Sequence, residues 1–176
     1  CAATRHIEFV LDGTGPATFE APSLDNWPRL AIDMAAGATR VNLETLTKAD
    51  SAKWKAGDRL LLNGKILTGR DAAHKRIVDM IARGEPLPVD FTNKFIYYVG
   101  PVDAVRDEVV GPAGPTTSRR MDKFMETMLG TAKLLGSIGK SERGAQAVAA
   151  IKRHRGVHLI AIGGASVARA LAHYIA

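Results

Sequence analysis

Two periods of apolar spacing alternate along the chain. Arg5 to Leu11 sets Ile7, Phe9 and Leu11 two apart, the spacing of a half-buried strand. Residues 12 to 39 are rich in Gly, Pro, Asp and Ala without a clear period. They read as a linker with a helical turn near Trp27 to Ile32, and this is the candidate domain boundary. Val41 to Leu46 reads as a strand and Thr47 to Lys55 as a short helix. Asp58 to Leu67, DRLLLNGKIL, has strand character, and its Asn63-Gly64 dipeptide predicts a hairpin. A helix over Asp71 to Ala82, ended by Arg83-Gly84, leads through a proline-containing loop to a buried-type strand, Phe95 to Val99. After a loop over Gly100 to Pro115 come a helix from Thr117 to Leu129 and a strand from Leu134 to Ile138. A helix from Glu142 to Arg155, with Ser141 as its N-cap, precedes a strand from Val157 to Ile162. Gly163-Gly164 then opens a last helix from Ala165 onward.

Strand and helix in alternation predict an α/β sandwich, and the Asn-Gly hairpin predicts that its sheet is mixed. At 176 residues the chain is one domain, or one domain with a remnant of another. It does not begin with Met and stops inside an apolar-periodic helix without a capping glycine, so it reads as a piece of a longer polypeptide. Apolar residues make up 46% and charged residues 24%, the composition of a globular domain, and no apolar run reaches the ~18 residues of a membrane span. The reading is of a chain that meets neither membrane nor nucleic acid, in a cytoplasmic or, in a eukaryote, mitochondrial setting. The net charge of +6 is spread along the chain, with a local cluster only at Lys152 to Arg155. Aromatic residues, at 6%, do not interleave with the basic ones as a base-stacking platform requires. A single cysteine, Cys1, excludes an intrachain disulfide.

The chemistry concentrates where extended segments run into helices. In NGKILTGRDAAHKR (63–76) the strand ends at Thr68, Gly69 permits close backbone approach, and Arg70 stands at the helix entry. In GPTTSRRMD (114–122) Gly114-Pro115 turns the chain, and Thr116 and Arg120, four apart, share one face of the first turn. Free N–H groups at a helix start attract anions, and an arginine adds two-point carboxylate recognition. The plainer reading of each junction is a capped helix with a surface arginine. The repeated placement of Arg70 and Arg120 favours a pocket for a small molecule with more than one carboxylate. Asp71 reads as a first-turn charge favourable to the helix dipole, and His74 as a helix-face residue packed against the sheet. Lys140, in GSIGKS, sits between a strand and a helix. The phosphate-loop pattern requires glycine six residues before the lysine, and Leu134 stands there. A role for Lys140 as a carboxylate partner and a role as a surface lysine both remain open. One cysteine cannot by itself hold a metal cluster.

These stretches, together with GEPLP, IYYVGP and the glycine pair of AIGGAS, resemble the iron–sulfur-dependent class I fumarate hydratases in the family's own order over about residues 55 to 165. L(+)-tartrate dehydratases and other two-subunit hydro-lyases share the same C-terminal domain. CAATRH (1–6) resembles the C-x-A-x-R-H segment that closes the family's cluster-binding domain, which places Cys1 as one ligand of a [4Fe–4S] cluster. That segment and the C-terminal domain are joined here in one chain, as in single-chain fumarases.

The resemblance implies residues 1–12 as the tail of the cluster domain, 13–40 as linker and 41–176 as the C-terminal domain, a swivelling β/β/α fold. It implies a cluster iron acting as Lewis acid on the substrate hydroxyl, and a base drawing a proton from the neighbouring carbon. Thr116 matches the position proposed for that base, assisted by an aspartate of the N-terminal domain, since an unassisted threonine is a poor base. Arg70, Arg120 and Lys140 match the contacts to the substrate carboxylates. The implied reaction is reversible hydration of fumarate to (S)-malate, in a homodimer, with this piece inactive alone. A tartrate or other hydroxy-dicarboxylate dehydratase, and a non-catalytic carboxylate-binding module, are the alternatives.

Overall fold

Residues 13, 37–101 and 113–161 are described by a computed structural model of the chain. The chain divides into Cys1–Ala36 and Gly37–Ala176, and every element below belongs to the second unit. The strand read at Arg5 to Leu11, the turn near Trp27 and the helix from Ala165 lie outside the described residues, as does Cys1.

The helix over Asp71–Ala82 (α2) spans the residues its pattern predicts. His74, Ile77, Val78 and Ile81 fall at the i, i+3, i+4, i+7 spacing that gives one inward stripe. Thr47 caps α1 (Lys48–Ser51), and Thr47 and Asp50 form a reciprocal capping box. The segment after Pro115 is not one uniform helix. A 3-10 stretch over Ser118–Phe124 runs into α3 (Met125–Gly130). The helix after it, α4 (Ala145–His154), starts later than expected. Ser141 is not its N-cap: Ser141 takes φ 67°, and Gly144 caps the helix instead.

Among the described residues six short strands form two sheets. β1 (Thr39–Asn42) pairs with β2 (Leu60–Asn63). β3 (Leu67–Thr68), β4 (Phe95–Tyr97), β5 (Gly136–Gly139) and β6 (Val157–Ile160) form the other sheet in sequential order. Among the described residues every pairing is parallel, which corrects the expected mixed sheet. The Asn63-Gly64 turn closes no hairpin. A type I′ turn needs positive φ at both central residues, and here Gly64 has it (108°) while Asn63 does not. The chain therefore passes from one sheet into the other, and β3 pairs with β4.

Alternation along the strands sends side chains to two cores. Phe95, Leu135 and Ile138 meet Val41 and Leu43, with Leu60 and Leu62 partly buried beside them, in a core between the two sheets. Ile96 and Tyr98 face the other way and meet Ile77, Met121, Phe124, Met125, Met128, Ala147 and Ala150 beneath the helices. A two-stranded sheet, a four-stranded sheet and a helical layer thus stack in that order. Each fully buried Phe, Ile or Met contributes about 1.5–3 kcal/mol through loss of apolar surface to water. Sequential strand order with parallel pairing requires crossovers of one hand, which keeps α2, α3 and α4 on one face.

Candidate functional site

The carboxyl ends of β3, β4 and β5 lie side by side, since Leu67 pairs with Ile96 and Ile96 with Ser137. In open parallel sheets this edge is where loops and helix starts converge. Here it carries Gly69-Arg70 after β3, Tyr98 to Gly100 after β4, and Lys140 after β5. The chain at 116–118 enters the same edge as a wedge. Thr116 N donates to the Tyr98 carbonyl (2.7 Å), Lys140 N to the Thr116 carbonyl (3.2 Å), and Ser118 N to the Lys140 carbonyl (2.9 Å). Thr117 and Lys140 thereby form a parallel bridge that extends β5. These backbone bonds bring Thr116 next to Lys140 although 24 positions separate them in sequence.

The two junctions read from the sequence also meet through their side chains. Arg120, in the 3-10 stretch, donates from Nε to Asp71 Oδ1 (3.2 Å), and its Nη2 lies 2.9 Å from Asp71 Oδ2. Asp71 opens α2, immediately after Arg70. The Arg70 guanidinium rests against Gly100, where an added Cβ would stand 3.2 Å from Nη1. Arg70 and Arg120 are exposed, while Thr116 and Lys140 are half-buried. The arrangement is an accessible edge bearing two guanidiniums, one ammonium and one hydroxyl.

His74 belongs to the scaffold, as read from the sequence. It is fully buried, edge-on to Tyr98 at 5.3 Å and 5.7 Å from Phe124. The Arg70 carbonyl is 2.8 Å from Nδ1, and a carbonyl only accepts, so Nδ1 carries the proton. Burial lowers the imidazole pKa and keeps the ring neutral. Its contact holds the Arg70 carbonyl, and with it the helix entry, in place.

A buried polar network underlies the edge. Arg143, three residues beyond Lys140, donates from Nε to Asp122 Oδ1 (2.7 Å), with side-chain exposures of 4% and 12%. Asp122 Oδ2 accepts from the Gly144 N–H (2.6 Å), which caps α4 from another segment. Arg143 Nη1 donates to the Tyr98 hydroxyl (3.3 Å), Ser137 Oγ (3.2 Å) and His158 Nδ1 (3.4 Å). Burial first, and the Arg143 charge second, push the His158 pKa down to about 4, so this ring is neutral as well. Behind the wedge Ser118 Oγ is buried without a partner, and a Cβ on Gly139 would collide with it, so glycine is required there.

Sequence reading singled out Arg70, Thr116, Arg120 and Lys140, and the fold gathers all four at one edge. It missed Asp71 as the partner of Arg120 and missed the Asp122–Arg143 pair. Both contacts span many residues, 49 and 21 respectively, and leave no local signature. The described residues hold no group of three His, Cys, Asp or Glu able to bind a metal. They do not fit a cluster site, and Cys1, the proposed ligand, lies outside them. Two open clefts, one beside Trp54, Arg155 and His158 and one beside Leu87, Phe91 and Lys133, include none of the four edge residues.

Comparison with known proteins gives a consistent result. The family model described as "Fumarase C-terminus" matches residues 13–175. "Fumarate hydratase class I, aerobic" of Escherichia coli K12 is 35% identical over 130 residues, covering 72% of this chain and 24% of the relative. "Fumarate hydratase 2" of Leishmania major is 35% identical over 113 residues, 64% of this chain and 20% of the relative. A Methanocaldococcus jannaschii protein with the provisional name L(+)-tartrate dehydratase subunit beta is 38% identical over 121 residues, 68% of this chain and 62% of the relative. The chain thus spans about a quarter or less of those fumarate hydratases.

Proposed function

Because the chain belongs to the fumarase C-terminus family, we propose that it supplies the carboxylate-gripping and proton-abstracting side of a hydro-lyase that interconverts fumarate and (S)-malate. The observation that carries this reading is the convergence of Arg70, Thr116, Arg120 and Lys140 on one carboxyl edge. A dicarboxylate brings two negative charges. Three cations less the charge of Asp71 leave a net of two positive charges to meet them.

Arg70 and Arg120 hold the carboxylates at both ends of the four-carbon substrate, and Lys140 adds a third cationic contact. Fixing both ends orients the carbon that loses its proton towards Thr116, whose backbone is tied on both sides by Tyr98 and Lys140. The Thr116 hydroxyl accepts that proton with help from a carboxylate outside the described residues, because an alcohol alone is too weak a base. The [4Fe–4S] cluster belongs with segments outside the described residues, Cys1 among them. The domain is a swivelling one that acts together with the cluster-bearing part of the protein, in a homodimer.

The test is the full-length protein, reconstituted anaerobically and assayed with fumarate, (S)-malate and L(+)-tartrate. Turnover of fumarate and malate with higher kcat/KM than tartrate is the expected result. The Methanocaldococcus relative favours tartrate as the second reading, and a preference for tartrate would establish it instead. Loss of all three activities in loaded protein would point to a carboxylate-binding module.

A further inference from the structure

We infer that Asp71 is a positioning residue for Arg120, selecting which edge of the guanidinium faces the substrate; this rests on the function proposed above. The geometry of the pair carries the argument. Asp71 engages Nε and Nη2, one side of the planar fork, at 3.2 and 2.9 Å. A guanidinium has five N–H donors, so both protons of Nη1 and one of Nη2 remain. One proton of Nη1 and the remaining one of Nη2 point along the end-on edge, which accepts a second carboxylate at two points. Arg120 can therefore hold Asp71 and a substrate carboxylate at once, and Asp71 dictates the direction in which the free edge looks.

The location of Asp71 supports this role. It sits in the first turn of a twelve-residue helix whose inner stripe is packed in the core, so its carboxylate is a fixed point. Arg120 sits in a 3-10 stretch and reaches Asp71 with a long, half-exposed side chain. An exposed pair of this kind adds little to stability, so its value lies in holding a flexible arginine in one rotamer. The favourable position of Asp71 at a helix N-terminus is a separate effect that an arginine partner does not require.

The experiment uses the full-length, cluster-loaded protein with Asp71→Asn, Asp71→Glu, Arg120→Ala and the Asp71→Asn/Arg120→Ala double variant. Asp71→Asn is expected to raise KM for malate by about tenfold, with kcat within about threefold of the parent. Asp71→Glu, which restores a carboxylate, is expected to recover part of that loss. In the Arg120→Ala background the asparagine change is expected to add nothing, because its effect passes through Arg120. An Asp71→Asn variant with unchanged or lower KM, or an equal loss in the Arg120→Ala background, overturns the inference. Should Asp71→Asn fail to fold, the same criteria apply to Asp71→Glu, whose KM must rise only where Arg120 is present. Arg120→Ala with parental KM and kcat would instead overturn the function on which the inference rests.

Discussion

Asp122 binds Arg143 and the start of α4 at the same time. One carboxylate oxygen accepts from Arg143 Nε at 2.7 Å and the other from the Gly144 N–H at 2.6 Å. The pair joins the stretch that carries Arg120 to the loop that carries Lys140. Its two side chains are almost entirely shielded from water, so an uncompensated charge is costly there. Asp122→Ala is expected to lose about 3–5 kcal/mol of unfolding free energy in urea denaturation. Replacing both residues, as Asp122→Leu with Arg143→Met, is expected to return a large part of it. A single variant that unfolds at the parental urea concentration would contradict this account.

Stability is expected to depend on pH through His158. Its folded pKa of about 4 lies below the ordinary 6.5, so the unfolded chain takes up the proton first as pH falls. The groups facing the ring are Arg143, Ser137 and, through Arg143, Asp122. Stability should be level above pH 6.5 and fall from there towards pH 4. His74, also depressed by burial, acts with the same sign. His158→Gln should flatten part of that decline in a series of thermal melts, and an unaltered slope would exclude His158 as its source.

Ser118 and Gly139 are expected to behave as a pair. The buried hydroxyl lacks a partner, so Ser118→Ala should be neutral or stabilise by up to about 1 kcal/mol. Gly139→Ala drives a methyl group into that hydroxyl and the Tyr98 ring and should cost about 1–3 kcal/mol. The double variant should recover part of the cost, as measured by chemical denaturation. A fully additive result would show that the clash lies elsewhere.

Thr116 and the cations should separate in kinetics. Thr116→Val keeps shape and removes the hydroxyl. In the full-length enzyme it should lower kcat on the order of a hundredfold with little change in KM. Lys140→Met should mainly raise KM. A Thr116→Val enzyme at parental kcat would remove that hydroxyl from the proton-transfer step.

The elements with strong local signals were legible in the sequence. The inward stripe at 74, 77, 78 and 81 gives α2 its full span, and FIYYV gives β4. The hairpin at Asn63-Gly64 was misread because the dipeptide signal is local, whereas the pairing is settled by β1 and β4 competing for β2 and β3. Ser141 looked like an N-cap because serine before a helical pattern usually is one. The N-cap is Gly144, and its N–H is held by Asp122, a carboxylate 22 residues upstream. At the candidate site, Arg70 and Arg120 are singled out by their matching placement at two helix entries. Asp71 was read as a helix-dipole charge because nothing in its neighbourhood reveals an arginine 49 positions away.

Parallel pairing throughout the larger sheet also determines where the chain tolerates change. The turns that enter β4, β5 and β6, around Gly84 to Lys94, Thr131 to Leu135 and Arg155-Gly156, lie at the rim opposite Arg70, Thr116 and Lys140. Gly84, Glu85 and Pro86 are exposed there. A fluorophore, an affinity tag or an inserted peptide at that point has a strand's length of sheet between it and the cationic rim. The domain thus offers a labelling point set apart from the rim that carries Arg70, Thr116 and Lys140.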